Sequence, residues 1–94
     1  MARIQTQAQT TSYGSALSLQ DGTTSVEVSF LDSGALVAGT IKIKDPSANT
    51  VEIPIGASQS YSFTLPKGAA GAGDGWKLEL KAASGTPTGQ VLES

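Results

Sequence analysis

The sequence predicts an all-β fold: a single small β-sandwich of about seven short strands with an extended N-terminal arm. Three observations carry that prediction. Apolar residues recur with a period of two along most of the chain. Clusters of Gly, Pro, Asp, Asn and Ser break the alternation at intervals of about 8–15 residues, the spacing of short strands joined by turns. No segment has the i, i+3, i+4, i+7 stripe of an amphipathic helix. At 94 residues the chain is one domain at most.

Taken in order, residues 1–15 read as a polar arm. Gln5, Gln7 and Gln9 alternate with Thr6, Ala8 and Thr10. That period suits a strand, but the segment has almost no apolar face to hold itself down. Leu17 and Leu19 open the sandwich, residues 16–94, and Asp21-Gly22 is a turn signal. Val26, Val28 and Phe30 alternate with Glu27 and Ser29, and Asp32-Ser33-Gly34 turns the chain. Val37, Gly39, Ile41 and Ile43 share one phase of the next strand, with Thr40, Lys42 and Lys44 on the other. The stretch Asp45-Pro46-Ser47-Ala48-Asn49 is a strong breaker, because Pro fixes φ and Asp or Asn side chains close local hydrogen bonds. Val51, Ile53 and Ile55 alternate with Glu52 and Pro54, then Tyr61, Phe63 and Leu65 with Ser62 and Thr64. A glycine-rich loop, 66–75, precedes Trp76, Leu78 and Leu80, which alternate with Lys77, Glu79 and Lys81. A short last strand runs from Gln90 to Leu92. Strands with one apolar face must stack as two sheets or close as a barrel. An immunoglobulin-like or jelly-roll-like sandwich is the expected arrangement, with a small barrel second.

Composition narrows the function. The chain has no Cys and no His, so it lacks a disulfide framework, thiolate ligands, and the commonest general base and zinc ligand. Six Lys and Arg stand against eight Asp and Glu, which leaves no basic field for nucleic acid. No apolar run reaches the roughly 18 residues that span a bilayer, and the opening residues lack the apolar core of a signal peptide. The expectation is a product made in a cytoplasm, with no membrane partner. Ser and Thr total 22 and Gly 11, a neutral, hydroxyl-rich surface over short strands.

Possible sites each have a plainer explanation. The loop Lys67-Gly68-Ala69-Ala70-Gly71-Ala72-Gly73-Asp74-Gly75 runs into a strand, whereas a phosphate cradle opens a helix. It reads as a connection or as a contact loop, since glycine lets a backbone approach a partner closely. Asp21, Asp32, Asp45 and Asp74 sit where Asp starts turns, without the spacing of a calcium loop, so no metal or other cofactor is expected. Phe30, Tyr61, Phe63 and Trp76 lie on apolar phases and are expected in the core. Tyr13 alone falls in the polar arm. No Ser-x-x-Lys pair occurs, and a sandwich this small offers paired carboxylates little cleft, so the chain is not expected to be an enzyme.

The arm Ala2-Arg3-Ile4-Gln5-Thr6-Gln7 before a compact β domain, with Gly73-Asp74-Gly75-Trp76-Lys77-Leu78-Glu79-Leu80 later in the chain, resembles small all-β bacteriophage virion proteins of the capsid decoration or cement type. That resemblance implies a structural protein that binds and reinforces the outside of a viral shell. It would reside on the virion, and its partners would be other protein subunits: the capsid lattice, or copies of itself in a homo-oligomer or multi-copy assembly. Candidate partner-binding residues are Arg3, Gln5, Gln7, Tyr13, Gly71, Gly73 and Asp74. An arm of this kind should be removable without unfolding the sandwich. The alternative is a carbohydrate-binding or adhesive immunoglobulin-like module of a surface protein, which exposed aromatic residues would favour.

Overall fold

In chain order the strands are β1 (Arg3–Ala8), β2 (Leu17–Ser18), β3 (Ser25–Asp32), β4 (Ala35–Leu36), β5 (Gly39–Lys44), β6 (Thr50–Ile55), β7 (Tyr61–Thr64), β8 (Lys77–Ala82) and β9 (Thr88–Glu93). The computed structural model describes residues 3–19, 23–65 and 75–94, and those residues contain no helix. The strands form two antiparallel sheets. The first has the order β1-β9-β3-β4, with β7 also pairing β3, and the second the order β2-β8-β5-β6. The protein is a small all-β sandwich.

The period-two pattern explains the core. Val26, Val28 and Phe30 of β3 and Val91 of β9 face inward from the first sheet. Ile41 and Ile43 of β5 stand opposite Leu80 and Leu78 of β8 in the second, and all four are buried. Ile55, Leu19 and Leu65 complete the cluster. β6 lies at a sheet edge, where Pro54 costs no shared ladder bond.

The Phe30 ring of the first sheet packs directly over Gly39 of the second. A Cβ added to Gly39 would fall 2.6 Å from that ring. Glycine is therefore required at the start of β5 for space.

The strand read from Val37 to Ile43 begins later, at Gly39, and a two-residue strand precedes it. Ser33 and Gly34 take positive φ values of 51° and 83° and fold β4 back on β3. Val37 N–H donates to Phe30 O at 2.9 Å, after which the chain crosses to the second sheet and begins β5. The breaker at 45–49 is a turn built by its first residue. Asp45 accepts hydrogen bonds from the N–H groups of Ser47 and Asn49 at 2.9 and 2.8 Å. The Asn49 N–H above all holds the Asp45 carboxyl below its usual range. Trp76 packs against the core from its margin, half-buried and one residue before β8.

The N-terminal segment is extended as expected, but its own chain holds it. β1 pairs along its whole length with β9, from Arg3 opposite Glu93 to Ala8 opposite Thr88. Beyond β1 the chain crosses to the second sheet. Ala82 N–H donates to Thr10 O at 2.7 Å and Gly14 N–H to Leu80 O at 3.1 Å. Removing β1 would strip β9 of one neighbour, so whether the sandwich stays folded without the arm turns on how much that pairing contributes.

Substituting Gly39→Ala should cost about 1–3 kcal/mol, because the new methyl must displace the Phe30 ring or the β5 backbone. Urea unfolding should show a lower midpoint with an unchanged slope.

Candidate functional site

In β1, side-chain direction decides what Arg3, Gln5 and Gln7 do. They stand opposite Glu93, Val91 and Gly89, so they share the inward face of the first sheet. The Glu93 side chain is fully buried. It accepts from Arg3 Nε at 2.9 Å, Arg3 Nη2 at 3.1 Å, Gln5 Nε2 at 2.8 Å and Thr23 Oγ1 at 3.3 Å. Arg3 Nη2 and Gln5 Nε2 also reach Ser18 O, each at 3.0 Å. Gln7 Nε2 donates to Ser15 O at 3.0 Å. Gln9, itself buried, donates from Nε2 to Gln7 O and Gln7 Oε1. These residues are a polar seam that joins the edge of the first sheet to the segment around β2.

The hydrogen bonds to Glu93 raise the Arg3 pKa, against an opposing effect of desolvation. Bidentate contact to a buried carboxylate gives this pair its directionality. Sequence reading missed Glu93, Thr23 and Gln9. The available signal was that Glu93 continues the phase of Gly89 and Val91, which places a carboxylate on a core-facing position.

Tyr13 lies on the opposite side of the molecule. Its hydroxyl donates to Glu52 Oε1. Lys42 Nζ and Lys81 Nζ lie 4.3 and 4.7 Å from the ring centroid. The ring therefore reaches across β8, β5 and β6 on the outer face of the second sheet. That face carries Lys42, Lys44, Lys77 and Lys81 with Glu52 and Glu79, as the alternation requires. Lys42 and Glu79 approach to 3.9 Å. Desolvation first, and then the hydrogen bond to Glu52, push the Tyr13 pKa up to about 12.

The outer face of the first sheet has a different character. Its rows run Ile4, Leu92, Glu27, Ser62, then Thr6, Gln90, Ser29, then Ala8, Thr88, Leu31, Leu36. Among the described residues on these rows Glu27 is the single charged side chain. A shallow depression of about 460 Å³ lies at one end, lined in part by Ser25, Glu27, Ser62, Thr64 and Leu92. Among the described residues no group of three or more acidic, His or Cys side chains is placed to hold a metal ion.

Of the predicted site residues that are described, Arg3, Gln5 and Gln7 come together and Tyr13 lies apart from them. Arg3, Gln5 and Gln7 are spent on the seam, Tyr13 is spent on the second sheet, and Gly71, Gly73 and Asp74 lie outside the described residues. Among the described residues the outer face of the first sheet is the broad surface with the least charge. No protein-family profile matches the chain, and no curated protein matches it in sequence.

Two measurements check this geometry. Arg3→Ala should lower the unfolding midpoint, and the loss should shrink when Glu93→Gln is already present, since the two act as one unit. In an ultraviolet absorbance titration Tyr13 should ionise near pH 12 instead of its ordinary pH 10. A raised native pKa means that the folded chain holds this proton more tightly than the unfolded one. The stabilisation is complete below pH 10 and is lost as the pH climbs towards 12. Tyr13→Phe should remove that alkaline slope.

Proposed function

We propose that this protein is a structural virion component that docks on the outside of a bacteriophage shell and reinforces it, as a decoration or cement protein. The observation that carries the reading is the contrast between the two outer faces. Among the described residues one presents hydroxyl, amide and aliphatic groups with a single carboxylate, and the other presents four lysines and two glutamates. A flat, nearly uncharged face suits broad docking on protein, where charged residues are depleted at the buried centre of a contact.

Size bears on the mode of action. Four strands of about six residues span roughly 20 Å by 19 Å. That is about half of the roughly 800 Å² each partner contributes to an interface of standard size. Docking by this face alone is weak for one copy. It gains strength where many copies, or several contacts per copy, act on one lattice. Binding to the assembled lattice alone stabilises that lattice by mass action.

The alternative, a carbohydrate-binding or adhesive module, calls for an exposed aromatic platform. Among the described residues Phe30 is buried, while Tyr61, Phe63 and Trp76 pack half-buried against the core. The Tyr13 ring is flanked by two ammonium groups.

The test is to strip the protein from its particles and add it back. Rebinding should restore the heat tolerance of the particles and should change little with salt, since the docking face holds so little charge. The double substitution Gln90→Arg, Ser62→Arg should weaken rebinding at least tenfold while leaving the melting temperature of the free protein within a few degrees. Absence of rebinding by the unaltered protein, with unchanged particle tolerance, would overturn the reading.

A further inference from the structure

The outer edge of β1 is an open edge of the first sheet: no other described strand pairs with it beyond β9. Its chemistry follows from register. Gln9 N–H donates to Pro87 O at 2.9 Å, and Gln9 opposite Pro87 continues the register that sets Arg3 opposite Glu93. In an antiparallel ladder the backbone groups alternate sides residue by residue. Arg3, Gln5 and Gln7 therefore turn their N–H and C=O groups to β9, and Ile4, Thr6 and Ala8 turn theirs outward. The side chains of those three residues lie on the neutral outer face, and Ile4 is 61% exposed.

Natural sheets blunt such edges with Pro, Lys, bulges or very short strands. Most other edge strands follow that rule, and β7, at four residues, is shorter than β1. β6 carries Pro54, β2 and β4 are two residues each, and Ser18 O of β2 is already taken by Arg3 and Gln5. β1 has six residues, no Pro and no Lys, and its one charge is folded inward onto Glu93.

We infer that the β1 edge pairs antiparallel with β1 of a second copy of this chain, about a two-fold axis through Thr6. The choice of partner rests on self-complementarity. A pairing that keeps inner and outer faces continuous must set residues of like parity opposite each other. Centred on Thr6, Ile4 stands opposite Ala8, Thr6 opposite Thr6 and Gln5 opposite Gln7. All six outward backbone groups then find partners. Centred on Gln5, the same strand would pair only four of them within β1. No like charges meet in the Thr6-centred register, because Arg3 falls opposite Gln9. The large Ile4 side chain meets the small Ala8, so the outer faces join without a clash, and the two first sheets merge into one continuous sheet.

The inference goes beyond shell docking and does not depend on it, since it uses the strand edge and not the sheet face. Sedimentation equilibrium of the full chain tests it. The unaltered protein should show a monomer–dimer equilibrium. Thr6→Pro removes an outward N–H without touching the ladder to β9, and should weaken self-association at least tenfold with the fold retained by circular dichroism. Thr6→Lys and Thr6→Glu each place like charges directly across the axis and should do the same. An equimolar mixture of Thr6→Lys and Thr6→Glu should recover a heterodimer. A chain that stays monomeric at every soluble concentration, or a dimer indifferent to Thr6→Pro, overturns the pairing. A dimer lost with Thr6→Pro but not recovered by the charge-swapped mixture overturns the Thr6-centred register. None of these results alters the rebinding test on particles, and failure of that test leaves this equilibrium unaffected.

Discussion

Glu93 is a carboxylate with no exposed side-chain surface, at the end of a strand that lies between two others. A buried charge of that kind is tolerable only when it is paired and hydrogen-bonded. The guanidinium of residue 3 meets it with two hydrogen bonds, and the Gln5 amide and the Thr23 hydroxyl add two more. This requirement explains why a polar segment at the start of the chain is a strand of the sheet. It also explains why the segment runs opposite β9 in one register, since a shift of one residue would swing Arg3 away from Glu93 and onto the outer face.

From that constraint the division of surfaces follows. Turning Arg3, Gln5 and Gln7 inward leaves Ile4, Thr6 and Ala8 outward, which makes the outer face of the first sheet neutral up to its edge. The lysines are taken by the alternate positions of β5 and β8 in the other sheet, where Tyr13 and two glutamates offset them. The two sides of one small sandwich therefore offer a partner different chemistry, although the composition of the chain as a whole suggests a uniform, weakly charged surface.

The core was legible because burial and alternation coincide there. Val26, Val28, Phe30, Ile41, Ile43, Leu78 and Leu80 all point inward on the phase that their spacing predicts. The role of β1 was not legible for a physical reason. Its inward face is made of Arg and Gln, so a reading that equates inward with apolar finds nothing to bury. The opposite charges at positions 3 and 93 were visible, but only pairing between strands 90 residues apart brings them together. Val37 and Ile43 were assigned to one strand because no strong breaker separates them. The turn at Ser33-Gly34 was legible, but the hydrogen bond from Val37 to Phe30 that keeps the chain on the first sheet before it crosses leaves no mark in periodicity. Tyr13 was recognised as an outlier in a polar segment, but its destination among lysines depends on how residues 10–14 cross onto the second sheet.

The position of β9 has a kinetic consequence. β9 is the bridge between β1 and β3, so the last of the described strands in chain order stands inside the first sheet and not at its border. Neither neighbour can complete its hydrogen bonding until that strand has emerged, however early it was itself synthesised. Loop closure over nearly the whole chain must come before the contacts that reward it, and topologies rich in such distant pairings fold on the slow side, on the order of milliseconds to seconds. During that interval the hydroxyl- and amide-rich sequence of β1, free of aliphatic runs, is a poor nucleus for aggregation. The same polar composition that hides its role from a reading of hydrophobicity thus protects it while it waits for its partner.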